Sequence, residues 1–162
     1  MAGFEMKTKI AAPREVVFDL ARSVDLHIDT ASGTDEKVIA GRTSGLFEEG
    51  ETVTWEGKHF GMRLQLTSRV SGIDFPNRFF SKMVKGNFRK LEHEHVFEII
   101  PEGTLMTDRF YFESPYGVIG KLADKFVLAS HLKKFLKTRN EKLKSIAETE
   151  LWKTYLVPEK YL

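Results

Sequence analysis

Between Glu51 and Ser114 the chain divides into five segments whose apolar residues recur every second position, and this meander constrains the fold more than anything else in the sequence. The segments are Glu51–Phe60, Met62–Phe75, Arg78–Lys85, Phe88–Ile100 and Leu105–Ser114. Gly61, Pro76-Asn77, Gly86-Asn87 and Pro101-Glu102-Gly103 separate them. A period of two is the mark of a half-buried strand, and connections this short join antiparallel neighbours. Two more strands are expected. Phe4–Ala11 places Phe4, Met6, Thr8 and Ile10 on one face, and Glu36–Gly41 lies just before the meander.

Helical spacing brackets the strands. Pro13 suits a first helical turn, where its missing N–H costs nothing, and Val16, Val17, Leu20 and Ala21 form an apolar stripe behind it. Ser23 is placed to cap a second short helix through Leu26 and Ile28. After Ser114-Pro115-Tyr116-Gly117, a connector read as a helix-start loop, the residues Ile119, Leu122, Phe126, Ala129, Leu136, Leu143 and Ala147 recur near 3.6. They predict one helix from about Gly120 to about Glu150. The order is β-α-α-β-β-β-β-β-β-α, an α+β layout in which a curved antiparallel sheet wraps a long C-terminal helix.

Composition removes several classes of function. The absence of cysteine excludes disulfides, thiolate metal sites and cysteine nucleophiles. A net charge of +2 is too balanced to mark a nucleic-acid binder. No apolar run approaches the ~18 residues of a membrane span, and the N-terminal stretch lacks the apolar core of a secretory leader, so a cytoplasmic location is the default expectation. Charge is uneven all the same. Between Lys121 and Lys144 eight basic residues face only Asp124 and Glu141. A solvated helix face explains this run most simply, and transient contact with an anionic membrane is the sharper alternative.

Taken together, Ala12-Pro13-x-x-Val16-Val17-Phe18-Asp19-Leu20-Ala21 with His27, Ser44-Gly45-Leu46, Val53-Thr54-Trp55, His59-Phe60-Gly61, Met83-Val84-x-Gly86-x-Phe88, His93-x-His95-x-Phe97, Thr107-Asp108-x-Phe110 and Ser114-Pro115-x-Gly117 resemble the SRPBCC superfamily. This is the START-like, helix-grip group, and the bacterial members described as polyketide cyclase/dehydrase-like are the nearest in pattern. The resemblance runs from about Phe4 to about Ala147. It implies one domain over residues 1–150, with residues 151–162 as a tail outside the pattern. It also implies a cavity between sheet and helix that takes a hydrophobic or amphipathic small molecule. No cofactor is expected. One reaction does not follow, because a fold hosts many activities.

Alternation then says which side chains enter that interior. Val53, Trp55, Gly57 and His59 share one face; so do Leu91, His93, His95, Phe97 and Ile99; so do Met106, Asp108, Phe110 and Phe112. Three histidines and one aspartate therefore face an otherwise apolar concavity. Trp55, His59, His93, His95, Phe97, Met106, Asp108, Phe110 and Phe126 are the expected ligand-contacting set, with the polar members as anchors. Three other roles stay open for the polar residues. His95 or His93 with Asp108 forms an acid–base pair suited to a cyclase- or dehydratase-like enzyme. The i, i+2 histidines have the spacing of two metal ligands, although a His-x-His pair alone is a weak signal. A satisfied polar core is the plainest reading. A co-chaperone or membrane-adaptor module, with an incidental cavity, is the remaining class. His27 and His131 are expected at the surface.

Overall fold

The computed structural model describes residues 2–31 and 33–162, with the backbone alone for 121–125. Seven strands form one antiparallel sheet: β1 (Ala2–Ile10), β2 (Lys37–Gly41), β3 (Thr52–His59), β4 (Met62–Asp74), β5 (Arg78–Gly86), β6 (Lys90–Ile100) and β7 (Gly103–Glu113). Their order is β1-β7-β6-β5-β4-β3-β2. The meander pairs each strand with its successor, and β1 closes the far edge against β7, with Phe4 opposite Phe110 and Met6 opposite Asp108. Each expected strand is present, with boundaries moved by only a residue or two.

Helices α1 (Arg14–Ala21) and α2 (Val24–Thr30) link β1 to β2. Pro13 stands at the N-cap of α1. The Ser23 hydroxyl accepts the Leu26 N–H at 3.2 Å and caps α2. Together the two helices plug one end of the curved sheet. Phe18 is fully buried there. Its ring lies 5.2 Å from Phe79 and 5.1 Å from Phe97. Ile10, Val16, Val17, Leu20 and Met106 complete this solid end of the core.

The last helical region is one path with an interruption. Helix α3 (Gly117–Ala123) passes through a π-helical turn (Asp124–Leu128) into α4 (Ala129–Ala147). A π turn adds a residue to the turn, so the helical phase on either side differs. The expected single stripe breaks there. Ile119 and Phe126 are 80% and 66% exposed, whereas Leu136, Leu143 and Ala147 are buried as expected. The side chain of Leu122, also placed on that stripe, lies outside the described residues, as do those of Lys121, Asp124 and Lys125. Ile99 departs from its expected face too and is 70% exposed near the end of β6.

Residues after α4 fold back onto the plug. Leu156 is buried, and Trp152, Tyr155 and Tyr161 pack against the core. The Tyr155 hydroxyl donates to Asp29 at 2.6 Å, and the Tyr161 hydroxyl donates to Asp19. Among the described residues no helix is long and apolar enough to cross a membrane.

Replacing Phe18 with alanine leaves a cavity where α1 meets β5 and β6. The expected loss is about 3–5 kcal/mol of stability in urea unfolding. A loss below about 1 kcal/mol would show that the plug is held by other contacts.

Candidate functional site

The open end of the grip, opposite the α1 plug, encloses a cavity of about 190 Å³. Trp55 and His59 line it from β3, Leu66 from β4, His93 from β6 and Phe110 from β7. Leu128, His131, Leu132, Phe135 and Arg139 close it from the helical side, and His27 and Glu36 stand at one end. The walls are mainly apolar with a few polar groups converging on them, which is the make-up of a small-molecule site.

Strand geometry explains who reaches this space. Along β6, period two turns Leu91, His93, His95 and Phe97 to the concave face, and all four are buried. Only the first two border the cavity. Phe97 and Met106 lie under α1 in the solid core, which corrects their expected place in the ligand wall. His95 and Asp108 sit behind the wall, with Phe79 stacked on the His95 ring at 4.3 Å. Phe126 is carried outward by the π turn, and Leu128 takes a place in the lining instead. Of the expected set, Trp55, His59, His93 and Phe110 are brought together around the cavity.

Asp108 is completely buried. The His93 Nε2–H donates to its Oδ1 at 2.7 Å, and the Asn140 Nδ2–H donates to its Oδ2 at 2.6 Å. His95 Nδ1 lies 3.1 Å from the same Oδ1, yet the alignment leaves it without a hydrogen-bond partner. Burial alone pushes the Asp108 carboxyl upward, but the two imidazoles outweigh it and hold the group well below the usual carboxylate range. Burial drives His93 down to about 3, and the neighbouring His95 adds to that, against the pull of Asp108. His95 is lowered as well, by burial first. Both rings are therefore neutral at pH 7 beside a charged carboxylate. The nitrogens of His93 and His95 and a carboxylate oxygen of Asp108 lie within 4.8 Å of one another, a donor set of the type that holds a transition metal. Here Asp108 already accepts from His93 and Asn140.

A second polar group forms at the α2 end. The His27 ring stacks on Trp55 at 4.1 Å. Arg139 can only donate, so its Nη1 contact of 3.4 Å makes His27 Nδ1 the acceptor and places the ring proton on Nε2. That edge stands 3.8 Å from Glu36 Oε1. Glu36 also accepts from the Thr34 hydroxyl at 3.3 Å. Gly57 makes room for this loop, since a Cβ there would meet the Thr34 carbonyl at 3.3 Å and the Glu36 side chain at 3.5 Å. Burial and the Arg139 charge lower His27, with Glu36 opposing. Burial lowers Arg139 in turn, opposed by Asp108 and Glu36.

A third group closes the rim. His59 Nδ1 and His131 Nε2 are 2.9 Å apart, one donating to the other. Burial lowers both. The two-residue turn beside them puts Phe60 at φ 52° and Gly61 at φ 73°. A left-handed phenylalanine costs of order 1–3 kcal/mol, and such strain persists where the surroundings hold it. Here the Phe60 ring packs on His131 at 4.4 Å and borders the cavity.

His27 and His131 thus belong to the lining, contrary to their expected surface positions. Glu36, Arg139 and Asn140 were not singled out as site residues, and Arg139 was counted with the solvated basic face. One signal did mark the pair on α4: they stand three and four residues after Leu136 and four and three before Leu143, on the apolar stripe.

No protein-family model matches the chain, and no curated protein matches it. Solved structures do. The Thermus thermophilus protein TTHA0849 superposes with a TM-score of 0.71 at 19% identity, covering 90% of this chain and 99% of its own. Ginseng major latex-like protein 151 from Panax ginseng gives 0.67 at 16% identity, covering 90% and 97%. Ara h 8.0201 gives 0.67 at 11% identity over the same shares. The chain shares the helix-grip fold of these structures, a curved antiparallel sheet around a long C-terminal helix. At these identities the likeness speaks for the fold, and the site must be argued from its own residues.

Two expectations follow from the buried polar groups. Each imidazole that stays neutral in the folded state but protonates when unfolded makes stability fall as pH drops below about 6.5, by roughly 1 kcal/mol per pH unit. Melting temperatures between pH 7 and pH 4 should decline steeply, and His93→Gln, which keeps a donor for Asp108, should flatten the decline. An unchanged slope would remove His93 from the cause. Asn140→Leu strips one donor from a buried carboxylate and should cost about 1.5–3 kcal/mol in urea unfolding. A near-neutral result would show that Asp108 does not need Asn140.

Proposed function

We propose that this protein binds a small, largely apolar molecule in the cavity between its sheet and α4. The observation that carries the reading is the cavity itself: enclosed by aromatic and aliphatic side chains, with polar groups confined to a few points. At about 190 Å³ it is smaller than the roughly 300–1,000 Å³ of sites for drug-sized ligands, which favours a compact occupant of one or two rings or a short chain. The strain held at Phe60 on the rim agrees with a shaped opening.

Binding is favoured over acid–base catalysis by the state of the candidate base. His93 already donates to Asp108, and its affinity for a proton is depressed to about 3, far from the range of an efficient base at neutral pH. His95 is sealed behind the wall.

A carrier role rests on a separate observation. Tyr116, Val118, Ile119, Phe126 and Val127, on or next to α3 and the π turn, are all more than half exposed. Lys133, Lys134 and Lys137 are exposed on the following turns of α4. Apolar side chains bordered by lysines suit brief contact with an anionic lipid surface, where each basic residue adds about 1 kcal/mol.

Titration with 2-naphthol, followed by its fluorescence, tests the cavity. The wild type should bind, and Leu132→Trp, which fills the space, should bind at least tenfold more weakly at an unchanged melting temperature. Equal binding by both would place the ligand elsewhere. For the carrier role, the wild type should co-sediment with phosphatidylcholine vesicles only when phosphatidylserine is included, and Ile119→Glu should abolish this. Failure of the wild type to sediment with either would leave a binder that does not dock on lipid.

A further inference from the structure

Arg139 is the feature of the cavity that an apolar ligand alone does not explain. It is 9% exposed, on the buried stripe of α4, and it lines the cavity. A guanidinium has five N–H donors and remains charged. Burying one costs several kcal/mol unless an anion meets it. Among the described residues its one hydrogen bond is the 3.4 Å contact to the neutral His27 ring, and no carboxylate lies within 4 Å of it.

Neither nearby acid is available to complete the site. Asp108 is taken by His93 and Asn140 behind the wall. Glu36 is turned to Thr34 and to the far edge of the His27 ring. The remaining ionisable groups bordering the cavity are His27, His59, His93 and His131, all held towards their neutral forms by burial. Arg139 is then the one cation facing the enclosed space among the described residues, and apolar side chains, Leu132, Phe135 and Phe110 among them, surround the rest of it.

We infer that the ligand is a compact organic acid whose carboxylate is held by the Arg139 guanidinium while its ring or short chain fills the apolar part of the cavity. This rests on the binding reading above and adds the charge and the polarity of the occupant. A carboxylate matches the planar fork of arginine with two parallel hydrogen bonds, which lysine cannot reproduce. His27 steadies the fork from the other side, with Trp55 stacked behind it. The deep placement of Arg139 and the half-exposed Phe60 at the rim orient the acid group inward and the apolar end outward.

The test compares 2-naphthoate with 2-naphthamide, which share a ring system and differ in charge, by calorimetric titration near pH 7. The wild type should prefer the acid at least tenfold. Arg139→Met should lose that preference while keeping its affinity for the amide within about threefold, which also shows that the variant is folded. Arg139→Lys should fall between the two. Equal affinities in the wild type, or a preference that survives Arg139→Met, would overturn the inference and leave the binding reading in place. If neither naphthalene probe nor 2-naphthol binds the wild type, the binding reading fails together with it.

Discussion

The buried carboxylate of Asp108 ties the two layers of this fold together. A charge with no exposure to water must find its hydrogen bonds inside, and Asp108 finds them in both layers. His93 reaches it from the adjacent strand, and Asn140 reaches it from α4. One ion thereby sets the height and rotation of the helix above the sheet. The stretch of α4 around it follows: Leu136 and Leu143 fall into the core, and Arg139, next to Asn140, is turned into the cavity. A purely apolar contact at this place would allow the helix to slide or roll, because hydrophobic burial is not directional.

The concave face is divided by what covers it. Where α1 presses against the sheet, phenylalanines fill the space and no room is left. Beyond the reach of Phe18 the helix stands off the sheet and the space stays open. The boundary passes across β6 between His95 and His93, two side chains of one strand face whose rings are 3.8 Å apart. That step explains why the polar cluster is half structural and half accessible. His95 belongs to the packed side, and His93 shows its ring to the cavity.

Much of the architecture was legible because its signals are periodic. Period two marked the strands, glycine and Pro-Asn punctuation marked the turns, and Ser23 announced the cap it makes. The inward face of β3 and most of that of β6 could be read the same way. Alternation tells which side of a sheet a residue occupies but carries no information on depth along the strand. Phe97 and Met106 therefore looked like cavity wall and proved to be core. Helical periodicity failed for a different reason. It was extended across Asp124–Leu128 as though every turn held 3.6 residues, and the π turn broke the phase. Arg139 was hidden among lysines by composition, although its position between Leu136 and Leu143 set it apart from them. His27 and His131 owe their places to contacts between elements distant in sequence, 72 residues apart for His131 and His59, which no local pattern encodes.

The π turn has a bearing on how a protein of this shape can change over time. One residue of a regular helix corresponds to about 100° of rotation, so a turn that absorbs an extra residue acts as a rotational joint between α3 and α4. Substitutions at Tyr116, Val118, Ile119, Phe126 or Val127 alter the outer surface without turning Asn140 away from Asp108. The chain thus separates what it shows to its surroundings from what holds its interior in register, and each can drift under its own selection.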